Sequence, residues 1–438
     1  MKKKILAMLL AAVMLFSLCA CGGNGGSSGD NSSGNNNSNS NSQGGGSGEE
    51  QITLSFWTLA LQPTYTDFIQ GLIDQYETDN PNIKIDWQDL PWDGIQDKFL
   101  TQTAGGNAPD VVNIWSQLAL TYASKGALLD LEANATEAQK SIYLEAAYDS
   151  ARLGDSVYAF PWYATPNICT YNAELLEKGG LSEVPTTYDE LIEHAVEFHD
   201  KTGAYIFCPS TVFHMFYSYG IEMIDETHTQ ATFDTPEALE LLTKLKEIGD
   251  AGAIPVDPGS WDDWDGHRQL YANEKIAMVL GGAQTVSRLR DETSEEMMAK
   301  TKVAADIKGP ANVTGEAIMN LVVSSQSKHP QEAIAFANWI TNDENQLAFC
   351  HQTAIFPTTK VAADDPYFSS DMETLEGQAL YYCSISAHSA TDMTLGIEQD
   401  NDVKGEIDNI MDMIFASGMT PKEALEAATE NVNQVLQG

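Results

Sequence analysis

Positive charge is what this chain has least of. Its 438 residues hold 23 Lys and Arg against 63 Asp and Glu, a formal charge of −40 at pH 7. That balance argues against nucleic acid and anionic lipid surfaces as partners and favours solubility. Long apolar runs are scarce too: past the first twenty residues none is long enough to cross a bilayer. The body has four cysteines, Cys169, Cys208, Cys350 and Cys383, and no C-x-x-C pair, which speaks against a zinc or redox motif. They are either buried thiols or the disulfides of an exported chain. A G-x-x-x-x-G-K-[ST] phosphate loop and an H-E-x-x-H zinc motif are missing, and G-x-S-x-G does not occur outside low-complexity sequence. A glycosidase needs only two well-placed carboxylates, and with 63 acids that criterion discriminates nothing. No catalytic residue, cofactor or metal is expected.

What is there begins with "MKKKILAMLLAAVMLFSLCACGG": a basic head, a short apolar core from Ile5 to Phe16 and a small residue before Cys21. This is the signal-peptide pattern. "LCAC" also resembles a bacterial lipobox, which implies residues 1–20 as a lipoprotein signal and Cys21 as a lipidated anchor; secretion as a free protein cut nearby is the alternative. Residues 21–50 are nearly all Gly, Ser and Asn. With nothing apolar to bury they are expected to stay disordered, a tether reaching about 30 Å root-mean-square.

The body is longer than one core usually serves, so two lobes are expected. In "QITLSFWT" apolar residues alternate as in a strand; Phe68, Leu72, Ile73 and Tyr76 recur at helical spacing; "IKIDW" and "VVNIW" read as further strands. Strand and helix alternating in this way predict a mainly parallel α/β sheet. The same grammar restarts after Pro166. Thr187 with Glu190, and Thr420 with Glu423, form capping boxes, and Thr235-Pro236 opens another helix. "IAMVLGG" and "IMNLVVSS" are buried strands, and "PQEAIAFANWI" a helix. Between the halves lies "GDSVYAFPWYATPNICTYN", rich in rings and broken by Pro161 and Pro166. Two prolines five residues apart make a stiff, extended crossover with a local bend. Its aromatic rings are expected to face the gap between the lobes.

Several stretches, in order, resemble the extracellular solute-binding proteins of carbohydrate ABC importers, the group related to maltodextrin-binding protein: "ITLSFWT", "GGNAPDVV", "GALLDL", "VYAFPWYATPNICTYNAELLEKGGL", "VPTTYDEL", "YANEKIAMVLGG", "SSQSKHPQEAIAFANWI" and "KEALEAATENVNQVL". The resemblance spans essentially the whole body. It implies an α/β, two-lobed periplasmic-binding-protein-like fold of type II, with a cleft between lobes joined by crossover hinge strands. One lobe would be residues 51–159 and 318–356, the hinge crossover 160–165, and the other lobe 166–312 and 358–438. It also implies a lipid-anchored monomer outside the cell membrane that captures a sugar, an oligosaccharide by its aromatic count, closes over it by hinge bending and passes it to an ABC permease. A surface glycan adhesin, or a binder of peptide or polyol phosphate on the same scaffold, is the alternative.

A sugar offers C–H faces to aromatic rings and hydroxyl rims to amides and carboxylates. Trp57 and Thr58 end the first strand, where an α/β sheet places its ligands, and the resemblance puts residues through Gln62 at the cleft lip; otherwise the indole packs under the next helix. Trp92 in "LPWDG" is a further lip candidate. Asn113, Trp115, Ser116 and Gln117 end the third strand, where the family hydrogen-bonds sugar. Trp162 and Tyr163 are the hinge rings, either stacking on ligand or only packing the hinge. Trp261 and Trp264 in "GSWDDWDG" close from the second lobe or stay solvated. The same stretch lacks calcium-loop spacing. Gly281 and Gly282 let a ligand approach the backbone or simply form a turn. His214, among aromatics, is either a core histidine or a ligand contact.

Overall fold

A computed structural model describes residues 51–387 and 390–437; the side chains of residues 92 and 93 lie outside the description. The proposed signal peptide, Cys21 and the tether fall outside the described residues. Among the described residues twelve strands occur in chain order: β1 Ile52–Leu59, β2 Ile83–Leu90, β3 Val111–Trp115, β4 Arg152–Leu153, β5 Ser156–Val157, β6 Ala159–Pro166, β7 Ile168–Asn172, β8 Met278–Gly281, β9 Thr301–Ala305, β10 Thr314–Val323, β11 Phe356–Pro357 and β12 Ala390–Thr391. A seven-stranded sheet runs β11-β6-β10-β3-β1-β2, with β12 beside β10, and a three-stranded sheet runs β8-β7-β9.

β1, β2 and β3 pair as the alternating pattern predicts, in parallel, and β12 runs parallel to β10. β10 enters antiparallel between β3 and β6, and the smaller sheet is antiparallel throughout. The expectation of a mainly parallel sheet is thus corrected. β10 comes back to β3 from some two hundred residues away, and no local periodicity announces such a return.

The crossover behaves as its prolines predict. β6 belongs to the large sheet, β7 to the small one, and Asn167 alone separates them. β10 bulges between Met319 and Asn320 opposite Tyr163 and Pro161, consistent with a proline that has no N–H to donate to the ladder.

Each sheet has its own core. Leu54, Phe56, Phe160, Trp162, Leu321 and Phe336 pack one side of the large sheet. Val112, Ile114, Tyr122 and Val322 pack the other. Cys169, Tyr188, Phe216, Leu245, Ile276 and Ile410 belong to the small sheet and its helices. A further cluster, with Ile168, Val303, Phe356 and Cys383, lies where β7 and β9 of the small sheet meet β11 and the helix Leu375–Ala387. This shared core ties the two sheets together. All four body cysteines are buried free thiols. No helix among the described residues is long and apolar enough to cross a membrane.

Candidate functional site

A cavity of about 530 Å³ opens where the two sheets meet. Its floor is the crossover: Thr165 and Asn167 from β6 and its exit, Gly315 to Ala317 from β10, and Asp392 and Met393 after β12. One wall is the turn at Ser210 and Thr211 and the helix Val212–Ser218; another is Gly281, Gly282 and the helix Gln284–Glu292. The helices Trp264–Ala272 and Asp400–Asp408 supply Trp264, His267, Arg268, Lys404 and Asp408. Gln117 is the contribution from the helix after β3.

Two glycines shape it. A Cβ on Gly315 would lie 3.0 Å from both Asn167 Nδ2 and His214 Cε1, so a side chain there would force the opposite wall to give way. Gly281 has φ 152, and a Cβ there would meet Thr285 Oγ1 at 2.7 Å.

The polar groups of the cavity are strongly perturbed. Burial pushes the Glu316 carboxyl up to about 8, with Asp392 beside it adding repulsion. Burial lifts Asp392 to about 6 against the pull of the Ser116 hydroxyl and the Lys404 ammonium. Asp408 is also raised to about 6 by burial, although it accepts a 2.8 Å bond from the Phe213 backbone N–H. His214, half-buried, is pushed down to about 4 by desolvation and lies 3.4 Å from the Tyr188 hydroxyl. His267 is lowered by burial, its Nε2 2.7 Å from the Ser260 carbonyl. Trp264 keeps 37% of its surface exposed at the cavity wall, and its Nε1–H donates to Asp262 over 3.2 Å.

Of the residues picked from the sequence, Gln117, His214, Trp264, Gly281 and Gly282 line this cavity. The others are elsewhere. Trp162 is 1% exposed and stacks on Phe349 with centroids 5.4 Å apart: β6 alternation points it, with Phe160, into the core rather than into the gap. Tyr163 is half-buried edge-on against Trp162 and Phe349. Trp57 is buried with Lys98 Nζ 4.5 Å over its ring. Thr58 is buried and committed to Asp89, which also accepts the backbone N–H groups of Leu61 and Gln62. The Gln62 side chain is exposed. Trp92 begins the helix Trp92–Ala104, and its side chain lies outside the description.

Asn113 is wholly buried, its amide donating to the Asn320 carbonyl over 3.1 Å. Trp115 is half-buried against the Val112 side of the sheet. Ser116 is buried and hydrogen-bonded to Asp392 at the cavity floor and to Ser150 and Asn320. Trp261 is buried, its Nε1–H held by the Pro255 carbonyl at 2.8 Å. Thr211, Glu316, Arg288, Asp392 and Asp408 also line the cavity and are not marked as site residues by the sequence. Their strands and helices reach the cavity only through long-range crossing, and a glutamate in a strand or an aspartate on a helix carries no local mark of that. No cluster of residues suited to hold a metal occurs among the described residues.

The sequence model for bacterial extracellular solute-binding proteins matches residues 71–375. The chain belongs to that family. This solute-binding protein is 22% identical over 344 residues to a protein of Brucella abortus named as a binding protein, covering 76% of this chain and 82% of the relative. It is 22% identical over 405 residues to the diacetylchitobiose binding protein DasA of Streptomyces coelicolor, covering 88% and 90%. Its fold superposes with a TM-score of 0.79, at 22% identity, on a crystal structure from Synechococcus sp. MITs9220 described as an oligosaccharide periplasmic-binding protein, covering 88% of this chain and 99% of that one. The fold is therefore the two-lobed α/β architecture of periplasmic binding proteins.

Proposed function

We propose that this solute-binding protein captures a carbohydrate in the cavity at the crossover and hands it to an ABC permease, without chemical conversion. The observation that carries the reading is Trp264. A large indole left 37% exposed in a cavity that mixes apolar side chains such as Phe213, Leu280 and Met393 with hydroxyls, amides and carboxyls is the pairing that a sugar's face and rim require. The names of DasA and of the Synechococcus protein, a diacetylchitobiose and an oligosaccharide binder, support it. Asn167, Gly315 and the return of the chain near Pro357 are the hinge points about which the lobes 51–159 with 318–356 and 166–312 with 358–438 close. Gln117, on the far lobe, joins the ligand on closure. Cys21 is the lipid anchor, and the protein acts as an extracellular monomer at the membrane.

The test is a thermal-shift screen with mono- and oligosaccharides. A ligand that binds only the folded state raises the melting point, so at least one saccharide should do so. Titration calorimetry then gives its affinity, and chromatography of the incubated mixture should return it intact. A panel in which peptides shift the melting point and no saccharide does rejects the reading.

A further inference from the structure

The charges in the cavity are unequally partnered. Thr314 pairs with Ala390 and Gly315 with Thr391 in parallel register, so the next step along β10 and β12 sets Glu316 beside Asp392. Neither carboxyl has an ion pair among the described residues. Asp408, on the helix Asp400–Asp408, and Asp262 beside it line the same cavity.

The cations are engaged. Arg268 is held by Asp265 at 2.6 Å and by Glu292 at 3.1 Å. Lys404 is held by Asp400 at 2.8 Å, with its Nζ 4.9 Å from the Phe213 ring centroid, and its attraction is shared with Asp392 and Asp408. Burial keeps His214 and His267 towards their neutral forms. Arg288 is the cavity cation without an ion pair among the described residues, but it is exposed, where water and salt screen it. Two adjacent carboxyls ionise together only at high cost unless a cation joins them. The exposed face of Trp264 is a second feature that attracts a cation in the same cavity.

We propose that the solute carries a basic amine, an amino sugar whose ammonium sits between Glu316 and Asp392 while Trp264 covers its ring. This rests on the carbohydrate reading above and names the class within it. The ammonium arrives protonated, the carboxyl pair ionises, and the proton it had held leaves to solvent. A hydrogen bond in which both groups are charged is stronger than one between a hydroxyl and a carboxyl.

The experiment uses the full chain and matched saccharides: glucose with glucosamine and N-acetylglucosamine, galactose with galactosamine, cellobiose with its diamino and N-acetylated counterparts, and glucose 6-phosphate. Within the best-bound set the amine should bind about tenfold more tightly than its neutral partner, a difference of about 1.4 kcal/mol. Calorimetry in buffers of different ionisation enthalpy should show proton release. Glu316→Gln should abolish both the preference and the release; where that variant does not fold, as read by circular dichroism, Asp392→Asn replaces it. Equal or tighter binding of the neutral, N-acetylated or phosphorylated sugar overturns this inference alone. A panel in which no saccharide binds overturns the carbohydrate reading and this inference with it.

Discussion

Two tryptophans separate what an indole does for binding from what it does for folding. Trp264 has 37% of its surface exposed at the cavity wall, whereas Trp162 has 1% and lies against Phe56 and Phe349. Trp264→Ala should leave the melting point nearly unchanged and cost on the order of 1–2 kcal/mol of saccharide affinity, the range of a partly desolvated aromatic contact. Trp162→Phe should do the opposite, lowering the melting point while keeping affinity. Calorimetry and thermal melts on the two variants check this; a Trp162→Phe protein that melts normally but no longer binds would refute the assignment. The sequence marks both residues as aromatic and near a turn or hinge. It does not separate them, because exposure is set by what packs on the ring, and Phe349 arrives from nearly two hundred residues away. In the same way Asn113 and Thr58 have the right chemistry for sugar but spend it internally, on the Asn320 carbonyl and on Asp89.

Elements were more legible than residues, because their signals are local. The box at Thr187 forms as its spacing predicts, with Glu190 N–H donating to Thr187 Oγ1 at 3.2 Å and Glu190 Oε2 accepting from Thr187 N–H at 3.2 Å. Thr235 caps the helix Pro236–Asp250, and Thr420 and Glu423 bond reciprocally before the last helix. Thr187→Ala should therefore cost about 1 kcal/mol of stability, measured by urea denaturation, with saccharide affinity intact because Thr187 does not line the cavity. What escaped was the meeting of elements. The sequence of β10 reads as a buried strand, but its place between β3 and β6, its pairing with β12, and so the juxtaposition of Glu316 with Asp392, follow from crossings that leave no periodic trace. Gly315 is where that meeting is tightest. Gly315→Ala puts a methyl 3.0 Å from Asn167 and His214, and is expected to destabilise by about 1–3 kcal/mol through overpacking and to weaken saccharide binding by shifting the cavity floor. Unchanged melting and binding would show that the crossover gives way more easily than its packing implies.

At the scale of the whole molecule, excess negative charge and buried acids act together on stability. Glu316 and Asp306 are held protonated by burial, with values near 8 and 7 against ordinary values of 4.5 and 3.8. Between the ordinary and the folded values the unfolded chain binds fewer protons than the folded one. Stability from these groups is thus complete below pH 4 and is lost as pH rises towards 8. Asp392 and Asp408 act in the same direction up to about 6. His214 opposes them: its value of about 4 lies below the ordinary 6.5, so its contribution grows between those values and is complete above 6.5. Above that point these carboxyls still titrate, and the melting point of the ligand-free protein should fall from pH 6.5 to 8. The net charge of −40 adds self-repulsion, which salt screens; raising salt should lift the whole curve without removing its slope. Glu316→Gln and Asp306→Asn should each flatten the slope, since neither replacement can ionise. Calorimetric melts across that range at fixed salt decide the matter: a melting point that rises or holds level from 6.5 to 8 in the parent protein would mean that these two carboxyls are ionised in the fold, and that the cavity floor carries charge rather than a proton.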